Sequence, residues 1–321
     1  MGRVVDVPEL VEQAREGQPR AVARLISLVE DASPHLRAVA AALAPHTGRA
    51  QVIGLTGSPG VGKSTSTSAL VTAFRQAGKR VGVLAVDPSS PFSGGALLGD
   101  RIRMQDHATD PGVFIRSMAT RGHLGGLSWA TPQALRVLDA AGCDVVLIET
   151  VGVGQSEVEV VALADTTVVL LAPGMGDGIQ AAKAGILEIA DVFVVNKADR
   201  DGADATVRDL KYMISLGRKE IRGAMWRQPI VKTVASRAEG VPEVVTALLD
   251  HRVWMTEHGE LDQRRQRRAE AEIEAIALAE LRSRLGDLRG GTALTDLGKR
   301  VAEGELDPYT AADELVAGLR G

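Results

Sequence analysis

The sequence has little cysteine and no long apolar run. Its 321 residues include one cysteine, Cys143, which excludes an internal disulfide and favours a reduced, cytoplasmic protein. The first thirty residues lack the basic-then-apolar profile of a secretory signal peptide. The most apolar stretches, such as residues 168–172, are interrupted well before the ~20 residues that a membrane-spanning helix needs. We therefore expect no membrane partner.

An excess of one charge is also lacking, with 37 Lys and Arg against 41 Asp and Glu, for a net charge of −4. No overall field would recruit nucleic acid or an anionic membrane. The one dense basic run, at 264–268, is followed by glutamates at 270, 272 and 274, which favours a solvated helix face with mixed pairing over a nucleic-acid site. Any polyanionic ligand must be held by a local site.

Aromatic residues are few, with four Phe, three Trp and two Tyr, whereas small and aliphatic residues dominate. Such a composition is typical of parallel strands covered by helices rather than of a β-sandwich. Apolar β-branched runs alternate with helical patterns between about residues 51 and 250. They predict strands at 52–56, 81–86, 112–116, 144–149, 166–171, 191–195 and 229–235. The sequence therefore predicts an α/β fold with a mostly parallel, doubly wound sheet.

Helical extensions are predicted on both sides of this sheet. Apolar residues recur at helical spacing from Asp6 to about Leu43, and Asp6 and Glu9 stand in capping-box relation, which predicts two or three short helices. After Trp254 the pattern becomes a charged helix and a Gly-interrupted helical tail. We expect an N-terminal helical segment at 1–48, a nucleotide-binding domain at 49–253 and a C-terminal helical arm at 254–321.

A phosphate-binding loop follows the first predicted strand and opens a helix. The segment matches GxxxxGK[ST] and consists of Gly57, Ser58, Pro59, Gly60, Val61, Gly62, Lys63, Ser64 and Thr65. Glycines let the backbone approach phosphate oxygens, and the helix N-terminus directs N–H groups at them. Lys63 neutralises β/γ-phosphate charge, and Ser64 offers an oxygen to Mg²⁺.

A carboxylate near a strand end is expected to complete the magnesium site, because Mg²⁺ prefers oxygen ligands. Two candidates follow predicted strands, Asp87 and Glu149. Both lie at the edge where open α/β sheets bind ligands. Gly152, three residues after Glu149, supplies a flexible backbone of the kind that senses a γ-phosphate.

The base is predicted to be guanine. Asn196, Lys197 and Asp199 form an NKxD motif after an apolar strand. The Asp199 carboxylate can accept from N1–H and the exocyclic amino group of guanine, a pair that adenine lacks, while Lys197 packs its stem over the base. A backbone N–H for the guanine oxygen is expected from the end of the next strand, at Ala235, Ser236 and Arg237.

Taken together, these motifs resemble those of the MeaB/ArgK-type G proteins, the family of the methylmalonic aciduria type A protein. The resemblance is carried by GSPGVGKST, VDPSSPFSGGALLGDRIRM, RGHLGG, ETVGVGQSE, GMGDGIQAAKAGILEIAD and NKAD. It implies a phosphate-loop GTPase of the metallochaperone-like branch that binds GTP, GDP and Mg²⁺. It also implies a homodimer that escorts adenosylcobalamin-dependent methylmalonyl-CoA mutase, gating cofactor loading and protecting or reactivating the mutase.

The resemblance also assigns roles to residues. It places Asp87 as a metal-linked or water-orienting carboxylate, Asp100 and Arg103 in a switch over the γ-phosphate, Glu149 near the magnesium and Lys183 on a segment facing the partner. Two departures stand out: Glu149 heads the ExxG motif where Asp is common, and Ala235-Ser236 replaces the usual Ser-Ala order. Gln155 is interpreted as a loop residue rather than a water-positioning glutamine, and His123, with no second His or Cys nearby, as no metal ligand.

Two alternative functions remain open. Relatives described as kinases linked to amino-acid transport suggest a phosphotransferase, and a nickel-delivery GTPase would be expected to carry His-rich or paired-Cys segments.

On the charged helix, an apolar stripe must bury against its own domain or a second copy. It comprises Ile273, Ile276, Ala277, Leu281 and Leu285.

Overall fold

The computed structural model describes residues 5–31, 33–88, 107, 109–120, 130–150, 162–174, 189–217, 225–289 and 293–317, apart from the side chains of 87, 88, 119, 120, 150, 216, 217, 282–289 and 293. The chain divides into two compact units, Met1–Leu261 and Asp262–Gly321. The boundaries expected at residues 48 and 253 stay predictions. Among the described residues, no helix combines the length and apolar content that a membrane span requires.

A seven-stranded sheet forms the first unit, and every strand pairing in it is parallel. The strand order is β3-β2-β4-β1-β5-β6-β7. The strands are β1 Gln51–Thr56, β2 Val81–Pro88, β3 Val113–Thr120, β4 Val145–Thr150, β5 Thr166–Leu171, β6 Val192–Val195 and β7 Ile230–Lys232. The predicted fold class is confirmed. β7 is shorter than the apolar run 229–235 because the chain turns into a 3₁₀ helix at Ala235–Arg237.

Helices cover the sheet and precede it. They are α1 Val7–Arg15, α2 Pro19–Glu30, α3 Leu36–Leu43, α4 Lys63–Gln76, α5 Ala130–Ala140, α6 Ala203–Gly217 and α7 Val241–Glu257. The expected cap begins α1, where Asp6 Oδ1 accepts from the Glu9 N–H at 3.1 Å. The three N-terminal helices therefore form as the helical spacing predicts.

Each face of the sheet has its own core, because side chains alternate along a strand. On one face, Leu84, Val146 and Ile148 pack with α1, α2, α3 and α5. On the other face, Ile53, Leu55 and Leu147 pack with α4 and α7. The burial of β1 and β4 on both faces fixes the position of their carboxyl ends, where the phosphate loop begins.

The second unit consists mainly of helices α8 Glu260–Arg289, α9 Ala293–Ala302 and α10 Pro308–Ala317. Arg300 on α9 pairs with Glu314 on α10 at 2.9 Å. Asp307 caps α10, and hydrogen bonds from Thr310 hold the pKa of its carboxyl below the usual value. Ile273, Ile276 and Leu281 of the predicted stripe are 67%, 45% and 51% exposed in the single chain. The side chain of Leu285 lies outside the described residues.

Candidate nucleotide-binding site

The phosphate loop connects β1 to α4 at the carboxyl edge of the sheet, between the central strands. Two of its glycines are required by close contacts as well as by positive φ. A Cβ at Gly57 (φ +141°) would lie 2.3 Å from the Leu170 backbone oxygen, and one at Gly62 (φ +97°) would lie 2.4 Å from Asn196 Nδ2. At Gly60 (φ +81°) the space is open. The loop is therefore packed tightly against β5 and the NKxD motif at two of these three positions.

Lys63 is the first residue of α4, and its side chain is buried within the loop. Its Nζ donates to the carbonyl oxygen of Gly57 and approaches that of Ser58 at 3.5 Å. The N-terminus of α4 carries partial positive charge at the same place. Lysine and helix together give this loop the positive charge and the backbone donors that suit a phosphate group.

Ser64 and Glu149 come together, although 85 residues separate them. The Ser64 hydroxyl donates to Glu149 Oε1 at 2.5 Å. Glu149 is 2% exposed at the end of β4, where its backbone pairs with Leu55 of β1. Asp87 is placed at the end of β2, opposite Ala119, and its side chain lies outside the described residues. A hydroxyl and a buried carboxylate beside a phosphate loop are oxygen ligands of the kind that suits Mg²⁺.

Asn196 connects the phosphate loop to residues 233–237, the segment after β7 that we call the base-recognition loop after its expected role. Its side chain is 3% exposed; Nδ2 donates to the Val61 carbonyl at 2.8 Å, and Oδ1 accepts from the Ala235 N–H at 3.1 Å and from the Thr233 hydroxyl at 3.2 Å. The nitrogen and the oxygen of this amide therefore hold the two loops together. The role is not visible in the motif alone.

Lys197 is the second residue after β6 and adopts a left-handed backbone conformation, with φ +56°. Its Nζ reaches the Gly60 carbonyl at 2.6 Å, so the side chain crosses to the phosphate loop. Asp199 is partly exposed and has Arg237 Nη1 at 3.5 Å. Arg237 also pairs with Glu239 at 2.7 Å and holds the pKa of that carboxyl below its usual value. The Asp199 carboxylate is thus presented to solvent beside a cation.

The backbone amides of Ala235, Ser236 and Arg237, where a donor to guanine is expected, differ in their hydrogen-bond partners. The Ala235 N–H donates to Asn196, and the Arg237 N–H donates to the Val234 carbonyl at 2.9 Å. Within the described part of the chain, the Ser236 N–H has no hydrogen-bond partner. Of the three, Ser236 carries the available amide.

Several predicted residues lie outside the described residues. They are Asp100, Arg103, Gly152, Gln155, Lys183 and His123. Among the ranges that are described, no group of three or more His, Cys, Asp or Glu side chains could hold a metal ion. Cys143, expected to be a small buried residue, is 7% exposed.

Sequence reasoning missed two sets of contacts, one on the helix of the phosphate loop and one at the amino ends of β5 and β6. His107 Nε2 lies 3.0 Å from the Ser68 hydroxyl of α4, which ties the segment before β3 to the helix of the phosphate loop. Thr166, Asp191 and His251 form a buried network, with His251 Nδ1 at 2.9 Å from Thr166 Oγ1 and Nε2 at 3.3 Å from Asp191. No local signal marks these partners, because they are distant in sequence.

Comparison with known proteins identifies the family. Residues 22–288 match the family described as methylmalonyl-CoA mutase-associated GTPase MeaB. A putative GTPase of Pyrococcus abyssi is 47% identical over 315 residues, covering 98% of this chain and 97% of that protein. The methylmalonic aciduria type A homolog of Caenorhabditis elegans, a mitochondrial protein, is 37% identical over 277 residues, covering 81% of this chain and 69% of its own length.

A solved structure supports the same conclusion at the level of fold. The crystal structure of an LAO/AO transport system kinase superposes with a TM-score of 0.69 at 26% identity and covers 100% of both chains. The family match and the Pyrococcus relative extend over most of the chain and carry the name GTPase. The chain therefore belongs to the MeaB family of GTPases.

Proposed function

We propose that this GTPase is a Mg²⁺-dependent switch that acts on adenosylcobalamin-dependent methylmalonyl-CoA mutase, gating cofactor loading and protecting or reactivating that enzyme. The family description names association with the mutase, and the worm relative is named for methylmalonic aciduria. The observation that carries the nucleotide part is Asn196, which joins the phosphate loop and the base-recognition loop into one unit. A single nucleotide can therefore contact both loops at once.

Guanine is recognised in this proposal by Asp199 and Ser236. The Asp199 carboxylate accepts from the two guanine donors, and the Ser236 N–H donates to the guanine oxygen. The Ala235 N–H already donates to Asn196. Because the donor to guanine is the backbone N–H of residue 236, the departure from the usual Ser-Ala order does not remove it. The aliphatic stem of Lys197 covers one face of the base on its way to Gly60.

Phosphate and metal are held at the other end of the same nucleotide. Lys63 exchanges its loop carbonyls for phosphate oxygens, while Ser64, Glu149 and Asp87 hold Mg²⁺. The metal, when bound, supplies positive charge to the β- and γ-phosphates. Asp100 and Arg103 belong to a switch over the γ-phosphate, and Gly152 supplies the backbone that senses that phosphate. Glu149, already hydrogen-bonded to Ser64, orients that hydroxyl.

A homodimer presents these switches to the mutase. In the second unit, Ile273, Ile276 and Leu281 expose a large fraction of their side chains on one helix. Apolar surface of this kind is stabilised by burial, at roughly 25 cal/mol per Å². We propose that this stripe packs against a second copy of the chain.

The test measures GTP hydrolysis with and without a methylmalonyl-CoA mutase, and the recovery of mutase activity in parallel. We expect the mutase to raise the GTPase rate, and GTP but not ATP to restore mutase turnover. The matched control is Lys63→Ala, whose hydrolysis should fall ~100-fold or more while the fold is retained. A GTPase rate that is the same with and without the mutase would refute the chaperone role. Transfer of the γ-phosphate to a small acceptor rather than to water would favour the kinase alternative.

A further inference from the structure

A cleft at the amino edge of the sheet lies at the opposite ends of the strands from the phosphate loop. It is a cavity of about 640 Å³ that reaches Gln51 and Val145, the first residues of β1 and β4. Phe74, Val245 and Leu249 give it apolar walls. A volume of this size is within the range typical of small-molecule sites. We call it the amino-edge cleft.

The charges that line the amino-edge cleft are mainly positive. The cations are Arg15, Arg49, Lys79 and Arg252, with His46 beside them, and the acids are Asp139 and Asp144. Both acids are engaged by backbone donors: Asp139 accepts from the amides of residues 48–50, and Asp144 Oδ2 accepts from the Arg80 N–H at 2.8 Å. Backbone donors therefore hold both acids in place, and Asp144 also lies 3.6 Å from Lys79 Nζ.

Two of the four cations pair with acidic side chains. Arg15 pairs with Glu12 at 2.6 Å, and Lys79 lies 3.6 Å from Asp144. Arg15 ends α1, and Lys79 follows α4, so both also offset the partial negative charge of a helix C-terminus. Arg252 uses Nη2 on the Arg49 carbonyl at 2.9 Å, so its other N–H donors and the whole Arg49 guanidinium remain for a ligand among the residues that the structure describes.

Arg49 is held in place without using its guanidinium. Its backbone N–H donates to Asp139 at 3.2 Å, and its carbonyl accepts from Arg252 Nη2 at 2.9 Å. The Arg49 guanidinium makes no hydrogen bond or ion pair with any residue that the structure describes. Two helices, α5 through Asp139 and α7 through Arg252, thus fix a loop that presents an unused planar cation. Such a fork matches carboxylate and phosphate oxygens.

We propose that the amino-edge cleft binds a small organic anion, with a phosphate or carboxylate group on Arg49 and Arg252 and an apolar body against Val245 and Leu249. Leu249 is 46% exposed in the structure, which leaves apolar surface for such a body to cover. The site is separate from the nucleotide site and does not depend on its assignment. β1, β4 and α4 connect the two sites.

The test is calorimetric titration of the GDP-saturated full-length protein at fixed ionic strength. The probes are phenyl phosphate, benzoate and inorganic phosphate. We expect phenyl phosphate or benzoate to bind about tenfold more tightly than inorganic phosphate, because the ring buries apolar surface. The better of the two shows whether phosphate or carboxylate is preferred.

Arg49→Glu should weaken that binding by about tenfold or more, and Arg49→Gln by less. The matched control is Arg24→Glu, an exposed α2 residue outside the cleft lining with the same change of charge. GDP affinity and circular dichroism should be unchanged in all three variants, because Arg49 is exposed and outside the nucleotide site. Equal weakening by Arg24→Glu, or no binding of any probe at millimolar concentration, would overturn the proposal.

Discussion

Asn196 shows how much a single buried side chain contributes to this site. The Asn196 amide forms hydrogen bonds with three groups that would otherwise be buried without partners. They are the Val61 carbonyl, 135 residues away in sequence, the Thr233 hydroxyl and the Ala235 N–H, the last 39 residues away. An unsatisfied buried polar group costs about 1–3 kcal/mol. Asn196 is therefore a positioning residue, whereas the Asp199 carboxylate faces solvent beside Arg237, where we propose that the base binds.

Replacement of Asp199 by Asn should change the preferred nucleotide. The amide donates where the carboxylate accepted, so guanine loses a partner and xanthine gains one. We expect GTP affinity to fall on the order of 100-fold and xanthosine triphosphate affinity to rise. Calorimetry with both nucleotides measures this. Asp201→Asn, an exposed carboxylate in the same loop, is the control, and equal effects of the two substitutions would contradict the assignment.

Cys143 should be unreactive in the folded protein. Burial raises the pKa of its thiol to about 12. At pH 8 such a thiol is thiolate in roughly one molecule in ten thousand, against roughly one in four for an unfolded cysteine. Since the folded pKa is raised, reaction with a thiol reagent should accelerate steeply on unfolding in denaturant. Equal rates at pH 8 for native and denatured protein would show that the thiol is exposed.

At the scale of elements, the phosphate loop depends on contacts as well as on glycine conformations. Gly57→Ala places a Cβ 2.3 Å from backbone oxygen of β5, which cannot move without displacing the strand. Gly60→Ala meets only the cost of a positive φ, about 1 kcal/mol, because nothing lies within 4 Å. We expect Gly57→Ala to abolish GDP binding and lower the free energy of unfolding markedly, and Gly60→Ala to retain binding. Equal loss in both variants would mean that conformation, rather than contact, governs the loop.

At the scale of the whole molecule, the two units should have separate tasks. The first unit ends at Leu261, and Met255 near that end is fully buried, so a truncation should follow Leu261. We expect the truncated chain to be a monomer that binds GDP with unchanged affinity, because all the nucleotide motifs precede it. Light scattering gives the mass of each form. Ile273→Glu with Leu281→Glu in the full-length chain should also yield a monomer, and a full-length monomer at micromolar concentration would refute the dimer.

The sequence by itself determined the parallel α/β fold, the phosphate loop and the NKxD motif. Each rests on short-range chemistry: β-branched runs that require burial on both faces, glycines before a helix, and polar residues placed directly after a strand. Because all strands run parallel, motifs that follow different strands must meet at one edge of the sheet. The position of a shared site can therefore be predicted from local sequence patterns, without knowledge of side-chain contacts.

Only the tertiary structure decided which groups at that site are available. The Ala235 amide is used by Asn196 while the Ser236 amide is not, and Ser64 meets Glu149 across 85 residues. The amino-edge cleft likewise depends on Arg49 being held by Asp139 and Arg252, 90 and 203 residues away. Hydrogen bonds of this kind are set by how helices pack on the sheet, and packing depends on the whole chain rather than on any one segment.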